Sequence, residues 1–106
     1  MDGLDRLKRK IKDIDKLPPR FHQIYVNSHS YSYRFPVYKY KNQTLITCIL
    51  TADDETQELY IEVINNDYTI YPPYYNPYSY RNNQLVGIIE KKIEIELGKL
   101  KKEGVI

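Results

Sequence analysis

Two spacings divide this chain: alternation by twos through its middle, and steps of three and four at its ends. Residues 44–64, TLITCILTADDETQELYIEVI, read as two β-strands joined by the acidic turn Ala52-Asp53-Asp54-Glu55. The run from Leu45 to Leu50 is apolar on both alternating faces, as expected of a central strand covered on both sides. In the second strand Leu59, Ile61 and Val63 share a face, and Tyr60, Glu62 and Ile64 take the other. Upstream, Leu4, Leu7, Ile11, Ile14 and Leu17 form one stripe and predict a helix over residues 2–17, capped by Asp2 and ended by Pro18-Pro19. Downstream, Leu85, Ile89, Ile93, Leu97 and Leu100 predict a second helix over residues 82–103, with Asn82 or Asn83 as its cap. Residues 93–97 alternate like a strand, but length, good helix formers and Lys/Glu pairing favour helix.

The intervening stretches supply further strands. Residues 21–26 read as a short strand with Ile24 and Val26 on one side, followed by the polar loop Asn27-Ser28-His29-Ser30. In residues 31–41, YSYRFPVYKYK, alternation sets Tyr31, Tyr33, Phe35 and Val37 against Arg34, Tyr38 and Tyr40. Pro36 cannot donate to a ladder, so this strand is expected at an edge or broken there. Lys41-Asn42-Gln43 makes a tight connection, Asn65-Asn66-Asp67 a turn, and residues 68–71 a returning strand. Residues 72–80, PPYYNPYSY, hold three prolines and predict an extended, polyproline-like path over the surface. Its Tyr74, Tyr75, Tyr78 and Tyr80 either close over the core as a lid or present a platform to a partner. The fold expected is two-layer α+β, one domain over residues 1–106. It has a meander-like antiparallel sheet of four to five strands, with the N- and C-terminal helices packed on one face.

Composition narrows the function classes. A net charge of +2 is too small to hold duplex DNA by bulk charge. The 12 tyrosines, against 2 Phe and no Trp, supply rings that half-bury while keeping a hydroxyl wet. A single Cys48 excludes an internal disulfide and favours an intracellular setting. The charged residues 2–9 lack an apolar signal-peptide core, and no run is long enough to cross a bilayer, so no membrane association is expected. His22, His29 and Cys48 do not have the paired spacing of a zinc site, and a strand thiol is hidden from reaction. Phosphate-loop, dinucleotide, nucleophile-elbow and zinc-protease motifs are absent, so no catalytic residue, cofactor, metal or small-molecule substrate is assigned. The carboxylates of residues 53–55 suit a turn for conformational reasons.

What remains is a set of aromatic and basic residues. Arg20 leads into Tyr31, Tyr33, Arg34, Tyr38, Lys39, Tyr40 and Lys41, which join Tyr74, Tyr75, Tyr78, Tyr80 and Arg81 as the candidate binding set. Arg6, Lys8, Arg9, Lys10, Lys12 and Lys16 read as a solvated helix face or as a phosphate-contacting ridge. The function expected is non-enzymatic: a binding or accessory protein acting through a Tyr-rich surface on a protein partner, or as a homodimer. Single-stranded nucleic acid is the alternative, with rings stacking on bases and cations meeting phosphates. A small ribonuclease-type toxin built on a helix-packed antiparallel sheet is the third reading. In YPPYYNPYSY and EKKIEIELGKLKKEG the Tyr-, Ile-, Lys- and Asn-rich composition resembles small orphan proteins encoded by viruses of thermophilic archaea. The resemblance spans the chain as composition and carries no residue role with it. It implies an accessory protein acting on the host or on viral nucleic acid, in the host cytoplasm, and not a metabolic enzyme.

Overall fold

Three long strands, β3 (Ser30–Tyr40), β4 (Gln43–Asp53) and β5 (Glu58–Asn65), form an antiparallel meander at the centre of the computed structural model. The structure describes residues 4–76, 78 and 83–106, apart from the side chains of Leu4 and Asp5. Short strands β1 (Lys8–Lys10) and β2 (His22–Gln23) complete a five-stranded antiparallel sheet in the order β1-β5-β4-β3-β2. The long helix α3 (Gln84–Lys102) closes the α+β fold.

Each hairpin has a visible local cause. Tyr40 pairs with Gln43, and Lys41 and Asn42 between them both have positive φ (52° and 65°), the pattern of a type I′ turn. At the acidic turn Asp53 Oδ1 accepts from the Glu55 and Thr56 amides at 2.8 and 3.3 Å, with Gln57 left-handed. The core lies on one face of the sheet. Phe35, Val37, Ile46, Cys48, Leu50, Ala52, Leu59, Ile61 and Val63 are buried with Ile89, Ile93, Leu97 and Leu100 of α3. The stripe expected for that helix is therefore the buried one. Asn83 caps α3, accepting from the Leu85 amide at 2.9 Å. At its other end Gly104 (φ 86°) donates to Lys101, and Val105 donates to the carbonyl of Leu100, with Leu100 and Val105 both fully buried.

Several expectations are corrected. Ile49 pairs with Arg34 and Glu62 on the opposite face and is half-exposed, so β4 is buried on one face and not on both. The register slips between Pro36, Tyr38 and Lys39, and this bulge turns Tyr38 to the side of Ile46, away from Arg34. β2 stops at Gln23, and residues 24–26 are a loop.

The N-terminal helix over residues 2–17 is replaced by one turn α1 (Leu4–Leu7), then β1, then a 3₁₀ turn at Ile14–Lys16; Asp2 and Gly3 lie outside the described residues. The physical reason is the edge of β5. Three strand residues pair there, Lys8 with Tyr60, Arg9 with Leu59 and Lys10 with Glu58, where a helix would leave backbone groups unpaired. Leu7, Ile11, Ile14 and Leu17 reach the core all the same.

The strand expected over residues 68–71 is a single bridge, Ile64 to Ile70. Asn65 donates to Thr69 and Tyr71 donates to Val63, but the next ladder position is Pro73, which has no N–H. The two prolines instead begin a helical turn, α2 (Pro72–Tyr75), at its first positions, where a missing donor costs nothing. The expected extended path is thus corrected over its first half. The Val63 amide left by the ladder donates to Tyr75 Oη at 2.9 Å.

Candidate interaction surfaces

The aromatic and basic set read from the sequence is divided by the fold into separate places. Tyr31, Tyr33 and Tyr38 are half-buried against the core. Tyr33 lies between Phe21 and Phe35 at centroid distances of 5.6 and 5.5 Å. Arg20 covers its ring at 5.4 Å while donating to both oxygens of Glu103 at 2.7 and 3.0 Å. Arg34 points to the other face, over the Tyr68 ring at 5.9 Å. Lys39 and Tyr40 are exposed, and the Lys41 ammonium stands 5.4 Å from the Tyr40 ring. Tyr80 and Arg81 lie outside the described residues.

Tyr74 and Tyr75 form the lid that one reading of residues 72–80 expected. Tyr74 is buried, donates to the carbonyl of Arg6 at 2.5 Å, and meets Tyr75 edge-on at 5.6 Å. Burial pushes the hydroxyls of Tyr74 and Tyr75 above the usual tyrosine range. Arg6 stacks on the Tyr74 ring at 4.6 Å, donates to its carbonyl through Nε and Nη2, and pairs with Glu90 at 3.2 Å. Lys8 pairs with Glu58 and Arg9 with Glu94, so three of the six basic residues brace the fold, while Lys10, Lys12 and Lys16 are exposed. Tyr78 is exposed.

Among the described residues, a run of three exposed apolar side chains falls where residues 21–26 read as a strand. Ile24, Tyr25 and Val26 are 53%, 69% and 83% exposed at the tip of the β2–β3 connection. This tip is fixed by hydrogen bonds. The Ile24 amide donates to Ser30, the Ser28 amide to Tyr25, and Gln23 Nε2 to the Ser28 carbonyl, at 2.9–3.1 Å. Buried Ser28 accepts from the Ser30 amide through its hydroxyl at 3.0 Å, and Asn27 is left-handed at φ 65°. An apolar triplet before Asn-Ser-His-Ser has the same hydropathy in a strand as at a tip. The left-handed preference of Asn27 ends the strand reading at Val26 and does not tell them apart.

Two grooves flank these features. On the uncovered sheet face one of about 350 Å³ is lined by Arg34, Pro36, Thr47, Ile64, Asn66 and Tyr68. Tyr68 takes part from a left-handed turn position at φ 69°. Beside the β2–β3 pair that leads to the tip, one of about 260 Å³ is walled by Ile14, Leu17, Pro18, Phe21 and Tyr31, with Asp15 and Asp54 also lining it.

Burial, first, drives the Cys48 thiol far above its usual range, so it is protonated and shielded. Among the described residues no three His, Cys, Asp or Glu side chains gather as a metal site requires, and no helix is long and apolar enough to cross a membrane. No protein-family model matches the chain, and neither does any curated protein or solved structure.

Proposed function

We propose that this is a non-enzymatic binding protein that docks a protein partner, or a second copy of itself, through the Ile24-Tyr25-Val26 tip. One observation carries the reading: three consecutive large apolar side chains are held out in solvent by a hydrogen-bonded loop. Holding them there costs hydration free energy of about 25 cal/mol per Å² that docking would recover. A pre-ordered loop also loses little conformational entropy on binding. Interface anchors are drawn from such residues, aromatic ones above all. The Tyr-rich surface expected from the sequence contributes less, since Tyr31, Tyr33, Tyr38, Tyr74 and Tyr75 are occupied in packing. An accessory role inside a host cell, which the compositional resemblance implies, is a role of this kind.

Light scattering over a concentration series tests the self-association arm, with Ile24→Ser/Val26→Ser as the comparison. A dimer that the double variant loses supports it. If the chain stays monomeric, a photo-crosslinking residue at position 25 is introduced and expressed in cells. The adduct should be discrete, competed by unlabelled chain and not by the double variant. A crosslinking pattern no different from that of a probe at exposed Lys92 would overturn the docking reading.

A second reading has its own observation. Arg34 over the exposed Tyr68 ring, beside the Asn66 amide, offers a stack and a cation on the open sheet face, the elements of single-strand binding. It requires oligonucleotide affinity that falls steeply with salt, and filter binding at low salt that shows none removes it.

A further inference from the structure

We propose that the groove beside the β2–β3 pair receives a cationic side chain, Lys or Arg, from the protein that docks at the tip. The proposal rests on the docking reading and names the chemistry of its partner. Ile14, Leu17, Pro18, Phe21 and Tyr31 give the groove apolar walls, and its 260 Å³ suits a methylene stem with a charged head. Asp15 and Asp54 line it, and among the described residues neither is ion-paired. Asp54 Oδ1 accepts from the neutral side-chain amide of Gln57, at 2.9 Å. Of the nearby cations, Arg20 is held by Glu103, the exposed Lys16 side chain lies against Gly104, and Lys12 is exposed.

The surroundings reinforce the sign. Asp53 and Glu55 flank Asp54 in the hairpin turn, Asp13 precedes the Asp15 turn, and His29 Nε2 sits 3.3 Å from Glu55. At this end Asp13, Asp15, Asp53, Asp54 and Glu55 outnumber the exposed Lys12 and Lys16, in a chain whose net charge is +2. A phosphate backbone or an acidic peptide would be repelled here. An alkyl stem against Phe21 and Tyr31 with its head at the carboxylates would gain both packing and cation–π contact. Tyr31 pairs with Gln23, the last residue before the tip, so one partner can fill the groove and cover the triplet together.

The test uses the full chain and two blocked tripeptides, acetyl-Leu-Arg-Leu-amide and its Leu-Gln-Leu counterpart, followed by amide NMR shifts. The Arg peptide should give saturable shifts at Leu17, Phe21, Tyr31 and Asp54, and the Gln peptide should bind roughly three- to tenfold more weakly, the effect of one or two half-exposed charge contacts. Asp15→Asn and Asp54→Asn should each weaken the Arg peptide while leaving the remaining spectrum in place, and added salt should weaken it further. Equal binding of the two peptides, or no shift at these four residues, overturns the proposal. A single-stranded oligonucleotide that shifts the same residues at low salt also overturns it. Ile24→Ser/Val26→Ser is expected to leave the peptide shifts intact, so failure of the groove and failure of the tip are read separately.

Discussion

Neighbouring residues on β4 meet different surroundings. Leu50 is fully buried opposite Ile61 and Tyr33, whereas Ile49 stands on the uncovered face between Arg34 and Glu62. Leu50→Ala should therefore cost about 2–5 kcal/mol of unfolding free energy, since it removes buried methyl groups and leaves a cavity in a small core. Ile49→Ala should fall well below that range, because its side chain is already partly hydrated. Chemical denaturation of both variants checks the difference, and equal losses would mean that the second face is covered. At this scale the sequence reading was right for Leu59, Ile61 and Val63, where alternation is strict, and each is buried. It failed at Ile49 for a physical reason. An apolar run looks the same whether its second face is covered by a helix or left half-open, as Thr47, Ile49 and Thr51 are.

Elements obey stronger constraints than periodicity when a sheet edge needs a partner. Leu7, Ile11, Ile14 and Leu17 satisfy helical spacing, yet they pack equally well from a strand followed by a 3₁₀ turn once Lys8–Lys10 pairs with β5. Nothing local in the sequence shows that edge, so the N-terminal element was not legible. The same gap hid the tip, because residues 24–26 need knowledge of where β2 stops. The Tyr74–Tyr75 lid was one of two readings of residues 72–80, and the sequence left it undecided because paired rings beside prolines suit a core lid and a partner platform alike. Turn chemistry gives a test at this scale. Lys41 holds φ 52° without the side-chain chemistry that eases a left-handed residue, so Lys41→Asn with Asn42→Gly installs the preferred type I′ pair. The gain should be about 1 kcal/mol after the exposed Lys41–Tyr40 contact is lost, raising the thermal midpoint by about 4 °C or more. A lowered midpoint would show that this hairpin relies on its present residues in a way the turn geometry does not convey.

Across the whole molecule, the N-terminal third is tied to the end of α3. After β1 the chain crosses the end of the sheet from the β5 edge to the β3 edge, with the Lys12 and Asp13 amides both donating to Val105 at 2.6 and 3.1 Å. Arg20 completes the tie through Glu103, and it also roofs Tyr33 beside the proposed docking groove. The Arg20 hydrogen bond, ahead of the opposing desolvation, holds the Glu103 carboxyl below its ordinary range. A carboxyl lowered on folding stabilises fully above its unfolded value, about pH 4.3, and that contribution disappears as pH falls through the folded value. The pair is partly exposed, at 28% and 35% of its side-chain surface, so solvent screening keeps it to about 1 kcal/mol or less. Thermal midpoints of wild type and Glu103→Gln should accordingly differ by a constant few degrees at pH 5–7 and converge toward pH 3. Using the difference between the two curves removes the titration of the remaining carboxylates, which both proteins share. Curves that stay parallel down to pH 3 would place the acid sensitivity elsewhere and leave the Arg20–Glu103 contact without a role in holding the strap to the helix.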